Sequence, residues 1–100
     1  MMERHSLLEW VSTNSDLLTP AQRDLADRAA EGLDRQGLAN ARQVSIRTVD
    51  VQIADAAHRI RAALPPEDPR REMKPLTLIR FYGLCLEIDR MERLVEDHKH

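Results

Sequence analysis

Four of the five prolines of this chain lie between residues 65 and 75, and this cluster constrains the fold more than any other feature. Proline breaks a helix interior and pushes the residue before it into extended conformations. The stretch "PPEDPRREMKP" therefore predicts a stiff, extended connection rather than a helix. It divides the chain into a first segment at residues 1–64, the connection at 65–75 and a final segment at 76–97.

The residues on both sides of this connection favour helices. The chain contains three glycines and three aromatic residues among its 100 residues, and 42% of its residues are hydrophobic. A core must therefore be built mainly from Leu, Ile, Val, Ala and Met, while the Val, Ile, Thr and aromatic runs that are typical of strands are missing. One hundred residues suit a single domain. We predict an all-α fold, a helix-turn-helix bundle of four to five helices with a long C-terminal helix.

Capping signals locate most of these helices. A first short helix is expected from Met2 to Val11. In "LTPAQRDLADRAAEG", Thr19 and Gln22 have the spacing of a capping box, and Gly32 is expected to close the helix.

The helix-turn-helix itself is predicted from two further caps. Asp34 can cap a short helix at residues 35–42, and Ser45 can cap the next helix, which is expected to reach about Leu64. Along this last helix the apolar residues recur at spacings of three and four and form one stripe: Val49, Ile53, Ala56, Ile60 and either Ala63 or Leu64.

Charge and composition narrow the function classes. The formal net charge is −2, but residues 35–61 carry five arginines against Asp50 and Asp55, which gives this segment a charge of +3. The sequence contains no glycine-rich phosphate loop, no cluster of metal ligands and no nucleophile with a positioned base, so we expect neither an enzyme nor a bound cofactor or metal. Cys85 is the only cysteine, and no stretch of about 18 apolar residues is present. A cytoplasmic protein without a membrane segment is the expectation.

The stretch that begins at Leu18-Thr19 reads Glu-Gly-Leu at residues 31–33 and Arg-Thr-Val at residues 47–49. With these motifs, residues 18–64 resemble the DNA-binding domain of LuxR-type response regulators, and sigma-factor DNA-reading domains are built similarly. The family pattern opens with Leu-Thr, runs a helix to Glu-Gly-Leu and then reads Arg-Thr-Val at the start of the recognition helix. The chain departs from that pattern at Arg42 and Gln43, where the family has an apolar residue and a glycine, and at Asp50 and Asp55, where it favours basic residues. The positions that match the pattern are Leu18, Thr19, Glu31, Gly32, Leu33, Leu38, Ala39, Val44, Ser45, Arg47, Thr48, Val49 and Val51.

The resemblance implies a small transcriptional regulator that binds double-stranded DNA. In such a unit the second helix enters the major groove, and residues at its start reach bases and phosphates. Arg47 and Thr48 are placed to contact a guanine edge and a phosphate, and Gln52 to contact an adenine or the backbone. Three further arginines are candidates for phosphate contacts: Arg42, Arg59 and Arg61.

Asp50 and Asp55 also permit a different function. Both are expected on the face of the recognition helix that should approach DNA, where carboxylates are repelled by phosphates. The alternative hypothesis is a small helical inhibitor or adaptor, of the kind phages make, that reuses the scaffold to bind a protein of a host nucleic-acid machine. In that case Asp50 and Asp55 would contact basic groups of the partner.

The final helix carries an apolar stripe that is expected either to pack in the core or to form the seam of a homodimer. Its residues alternate spacings of three and four over two heptads, as in helices that pair along their length: Phe81, Leu84, Ile88, Met91 and Val95.

Overall fold

The computed structural model describes residues 4–98, and within them it contains α-helices joined by turns and no strand. The prediction of an all-α fold with a long C-terminal helix is therefore confirmed. Met2, where the first helix was expected to begin, lies outside the described residues. The helices are α1 (Arg4–Thr13), α2 (Pro20–Ala30), α3 (Arg35–Arg42), α4 (Ile46–Ala63) and α5 (Pro75–His98).

The caps read from the sequence are formed. The backbone N–H of Gln22 donates to Thr19 Oγ1 over 3.2 Å, and the N–H of Thr19 donates to Gln22 Oε1 over 3.1 Å, which completes the capping box of α2. Asp34 accepts from the N–H of Gly37 at the start of α3. Ser45 accepts from the N–H of Thr48 at the start of α4. These bonds satisfy donors that a helix N-terminus otherwise leaves open.

The proline-rich connection differs from the expected extended chain because it contains a short 3₁₀ helix at Pro69–Glu72. Asp68 caps this turn: its side chain accepts from the N–H of Arg70 and pairs with the Arg70 guanidinium at 3.1 Å. Asp68 is buried. Proline at the first position of a helical turn is compatible with the helix, because that residue needs no N–H donor, so a capped Asp-Pro step favours a turn over an extended strand.

The core lies between α2, α4 and the first half of α5. Leu25 and Ala29 of α2 and Val49 of α4 are fully buried, and Tyr82 of α5 is the largest fully buried side chain. Gly83 lets α5 approach α2 closely, because a Cβ at this position would collide with the carbonyl oxygen of Ala26. The first half of α5 is thus part of the same core as α2 and α4.

The helix α1 is attached at the junction of α4 and α5. The indole Nε1 of Trp10 donates to the carbonyl of Ala63 over 3.0 Å, and its ring meets the ring of Tyr82 edge-on with centroids 6.0 Å apart. The Tyr82 hydroxyl donates to the carbonyl of Asn14. Edge-to-face rings and buried hydrogen bonds of this kind fix the orientation of a short helix.

No helix in the described part of the chain is both long enough and apolar enough to cross a membrane.

Candidate nucleic-acid interface

The helices α3 and α4 are joined by three residues, which is the connectivity of a helix-turn-helix unit. Gln43 ends α3 in the left-handed conformation, with φ of 56° and ψ of 45°. At this position the family that residues 18–64 resemble has glycine, the residue that adopts such angles without strain. The N–H of Val44 donates to the carbonyl of Ala39, which closes the turn. The turn therefore forms with Gln43 in the place of a glycine.

The outer face of α4 is formed by side chains that point away from the core. At its beginning Arg47 is exposed, and within the described residues its guanidinium has no hydrogen-bond or ion-pair partner. Thr48 is also exposed and shares a hydrogen bond of 3.0 Å with the Ser45 hydroxyl. Further along this face Val51 is 64% exposed, and Ala54 and His58 follow it on the surface. Arg47 is thus the free cation at the leading end of this face.

Asp50 is held by α3. Its two carboxylate oxygens accept from Nε and Nη2 of Arg35, each over 2.6 Å. The bidentate bond to the guanidinium lowers the pKa of Asp50 and raises that of Arg35. The acid that seemed to oppose DNA binding is therefore paired with a cation from the neighbouring helix.

Asp55 is held in a similar way by α2 and by its own helix. Gln22, whose side chain is buried, donates from Nε2 to Asp55 Oδ2, so the residue that completes the capping box of α2 also reaches across to α4. Arg59 lies one turn further along α4, with its Nε 3.7 Å from the same oxygen. Both acids of α4 thus serve to fasten the helix to its neighbours.

Three of the predicted DNA contacts, Arg42, Gln52 and Arg61, are drawn into the protein by bonds to other segments. Arg42 is largely buried; it donates to Gln52 Oε1 over 2.7 Å and lies 3.6 Å from Asp24. Arg61 donates to the carbonyls of Arg71 and Met73, over 3.1 and 2.8 Å. Arg42 and Gln52 therefore brace α3 against α4, while Arg61 secures the proline-rich connection.

Of the six residues predicted to contact DNA, Arg47, Thr48 and Arg59 are exposed, whereas Arg42, Gln52 and Arg61 are half-buried. Arg35 and Gln22, which bond to the two acids of α4, were not among the residues predicted for this site. Asp50 lies 15 residues after Arg35, and Asp55 lies 33 residues after Gln22. Only the packing of three helices brings these pairs together, so no local spacing signals them.

The stripe of α5 is largely on the surface. Leu84 and Ile88 are each 41% exposed, Met91 57% and Val95 55%. Phe81 is half-buried beneath the guanidinium of Arg70, which lies 5.2 Å from the ring centre. From Leu84 onward the stripe is therefore not part of the core of a single chain.

Cys85, one residue beyond Leu84, faces inward and is buried. Burial raises the pKa of its thiol to about 11. A thiol of this kind is unreactive at neutral pH, because the thiolate is the nucleophile. No group of three or more potential metal ligands occurs in the described part of the chain.

Comparisons with protein-family models, with curated proteins and with solved structures each found no match to this chain.

Proposed function

We propose that this chain is a small DNA-binding regulator of transcription in which α3, the turn and α4 form the DNA-reading unit. The observation that carries the proposal is that Asp50 and Asp55 are both bonded within the protein, whereas Arg47, at the start of α4, has no partner among the described residues. Carboxylates that already accept hydrogen bonds from cations and amides repel phosphates less than free ones do. A free arginine at the beginning of a recognition helix is suited to a guanine edge or a phosphate.

The other exposed groups of this face are compatible with a DNA groove. Thr48 can donate its hydroxyl to a phosphate, and Val51 can contact the methyl group of thymine. Arg59 lies on the same surface beside Asp55, and its remaining N–H groups can point toward the backbone of DNA. These contacts define a short surface of few charges, so the proposed binding of one copy is weak.

A homodimer belongs to this proposal, because two copies would present two such units. Regulators with a helix-turn-helix commonly bind two half-sites as dimers, which doubles the contacts with DNA. The exposed residues of α5 supply a surface for that association, since large apolar patches on small proteins usually mark a site of interaction.

Salt-titrated binding to a random duplex tests the DNA-binding proposal. The wild type should retard duplex at about 50 mM salt, and the affinity should fall as salt rises. Arg47→Ala should reduce the slope of log affinity against log salt by roughly one unit, because one phosphate contact is lost. Arg90→Ala is the matched control: it removes another exposed arginine, from α5, and should leave that slope unchanged. Failure of the wild type to bind any duplex would overturn the proposal.

A second candidate function, binding to a protein, is favoured by the apolar part of the same face. Val51 is the most exposed large apolar side chain of α4, and Ala54 and Ala62 continue the surface. Under this alternative the partner would be a protein of a nucleic-acid machine, and the α4 acids would contact its basic groups. Replacing both Asp50 and Asp55 with alanine would then abolish activity in the cell, while DNA affinity would be negligible in the wild type and the variant alike.

A further inference from the structure

The side chain of Gln52 is held in one orientation by Arg42. Arg42 Nη1 donates to Gln52 Oε1 over 2.7 Å. A guanidinium carries only donors, so the carboxamide must turn its oxygen, and not its nitrogen, toward Arg42. Arg42 is itself fixed, because its side chain is only 13% exposed and its Nε lies 3.6 Å from Asp24 of α2. The oxygen of Gln52 therefore faces a largely buried cation where α2, α3 and α4 meet.

The amide nitrogen of Gln52 is left free. No group of the described residues accepts a hydrogen bond from Gln52 Nε2. Among those residues the one buried side-chain nitrogen or oxygen without a partner is Nε of Arg23, so Gln52 Nε2 reaches the surface. Gln52 lies one turn after Thr48, which is exposed, and not on the side of α4 that carries Val49 and Ile53 into the core. Gln52 thus offers N–H donors at the edge of the proposed DNA-reading face.

The bases differ in the donors and acceptors that they present in the major groove. Adenine presents the acceptor N7 beside the amino donor N6, so a glutamine that reads adenine needs both its oxygen and its nitrogen. Guanine presents two acceptors, N7 and O6. The amino group of adenine would have to approach Gln52 Oε1 beside the Arg42 cation, which repels its hydrogens. A glutamine whose oxygen is bonded to an arginine therefore matches guanine and not adenine.

We propose that Gln52 is a specificity-determining residue that selects guanine, with its N–H groups donating to guanine N7 and O6. Arg42 is a positioning residue, because it contacts Gln52 and not the base. The inference rests on the proposed DNA-binding function and names one base of the target site. It differs from two sequence-based expectations, the contact of Gln52 with an adenine or the backbone and the contact of Arg42 with a phosphate.

Selection of duplexes from a randomised pool tests this assignment with the wild type and variants, at about 50 mM salt. Gln52→Ala identifies the position that Gln52 reads, since the wild type should select one base there and the variant should select none. The wild type should select guanine over adenine at this position by about tenfold. Arg42→Met should select adenine there, because Gln52 Oε1 then has no donor and the amide can offer both of its ends to the base.

Arg28→Met is the matched control. Arg28 also bonds to Asp24, over 3.1 Å, but it has no bond to α4. Its replacement removes the same charge as Arg42→Met and should leave guanine selected. A switch from guanine to adenine in Arg42→Met alone separates the positioning role from a purely structural one, because a loss of stability weakens the binding of all duplexes equally.

A modified duplex keeps the assignment testable if Arg42→Met does not fold. In the selected duplex, 7-deazaguanine is placed at the position identified by Gln52→Ala, which replaces the acceptor N7 with a C–H group. The affinity of the wild type should fall about fivefold, because one hydrogen bond is lost. The affinity of Gln52→Ala should be the same for the modified and the unmodified duplex.

Each other outcome contradicts the inference. Selection of adenine by the wild type, or of guanine by Arg42→Met, would overturn the role of Arg42. Equal selection by the wild type and Gln52→Ala, or equal affinity of the wild type for the two duplexes, would show that Gln52 does not read guanine. These results require duplex binding, so they would leave the DNA-binding proposal intact. A wild type that retains no duplex would overturn that proposal itself, and this inference with it.

Discussion

Arg35 and Asp50 form a two-bonded ion pair between α3 and α4, with both N–O distances at 2.6 Å. A guanidinium and a carboxylate that meet side by side satisfy each other in a single plane, which a lysine could not do. The pair places a cation and an anion on the surface where the chain is proposed to meet DNA. The net charge of the pair is zero, and the removal of either partner changes the charge of that surface by one unit.

Replacing Asp50 with alanine should strengthen binding to non-specific duplex. The change removes a carboxylate and releases Arg35 for a phosphate, so the slope of log affinity against log salt should steepen by up to about one unit. Glu67→Ala, in the exposed proline-rich connection, changes the net charge equally and serves as the control. An equal effect of both changes on affinity would contradict a local role for the pair.

Gly83→Ala should lower the free energy of unfolding by about 1–3 kcal/mol, because the added methyl group would press on the backbone of α2. Alanine is the better helix former by about 1 kcal/mol, so the loss would occur against the local preference. Gly37→Ala in α3 is the control, since its Cβ would meet side-chain atoms of Leu33 and Asp34 at 3.2 and 3.3 Å, which can shift. Urea unfolding measures the free energy of unfolding of both variants. Equal values would mean that α2 and α5 can move apart without loss of stability.

Arg61→Ala should destabilise the protein by about 1–3 kcal/mol, because the guanidinium donates to two carbonyl oxygens of the proline-rich connection. In the variant these two oxygens would lose their hydrogen-bond donor. The neighbouring Arg59→Ala removes only an exposed pair within α4 and should change stability by less than about 1 kcal/mol. Thermal unfolding of the two variants distinguishes them. If Arg61→Ala instead kept full stability and lost DNA affinity, its guanidinium would contact DNA rather than the connection.

Stability should decline at alkaline pH. Burial raises the pKa of Cys85 to about 11 and that of Tyr82 to about 12. The folded protein therefore holds both protons more tightly than the unfolded chain does. The contribution of these two groups to the free energy of unfolding is complete below about pH 8.5 and is lost as the pH rises toward their pKa values in the folded protein. Urea unfolding at a series of pH values measures the effect, and Cys85→Ala should delay the decline to about pH 10, where the unfolded tyrosine begins to ionise. An unchanged onset in this variant would contradict the role of the thiol.

The helices of this fold could be predicted from the sequence because their signals are local. Thr19, Asp34 and Ser45 each act on an N–H three residues away, so their caps can be read from spacing alone. The apolar stripe of α4 is similarly local. Its predicted members from Val49 to Ile60 are buried, and of the two alternatives for its end Leu64, the C-cap, is buried whereas Ala63 is partly exposed.

The bonds that define the candidate site could not be predicted in this way. Gln22 was identified for its cap, but its second bond, to Asp55, depends on where α2 crosses α4. Arg42 and Arg61 are arginines in a basic segment, and the sequence does not distinguish an arginine that faces a phosphate from one that faces a carbonyl. The 3₁₀ turn at Pro69–Glu72 is capped by Asp68. The prolines of this segment predicted an extended connection, and the capping signal of Asp68 was not considered.

Trp10 is the only tryptophan of the chain, and it lies where three helices meet, with its indole N–H on the end of α4 and its ring against Tyr82 of α5. The molecule thus contains an intrinsic fluorophore at a place where the N-terminal helix is attached to the ends of two other helices. A shift of its emission to longer wavelength reports that α1 has detached and that water has reached the indole. Comparison of that signal with helical circular dichroism during unfolding separates two cases. Coincident transitions mean one cooperative unit, and an earlier fluorescence change means that α1 leaves a body that is still folded.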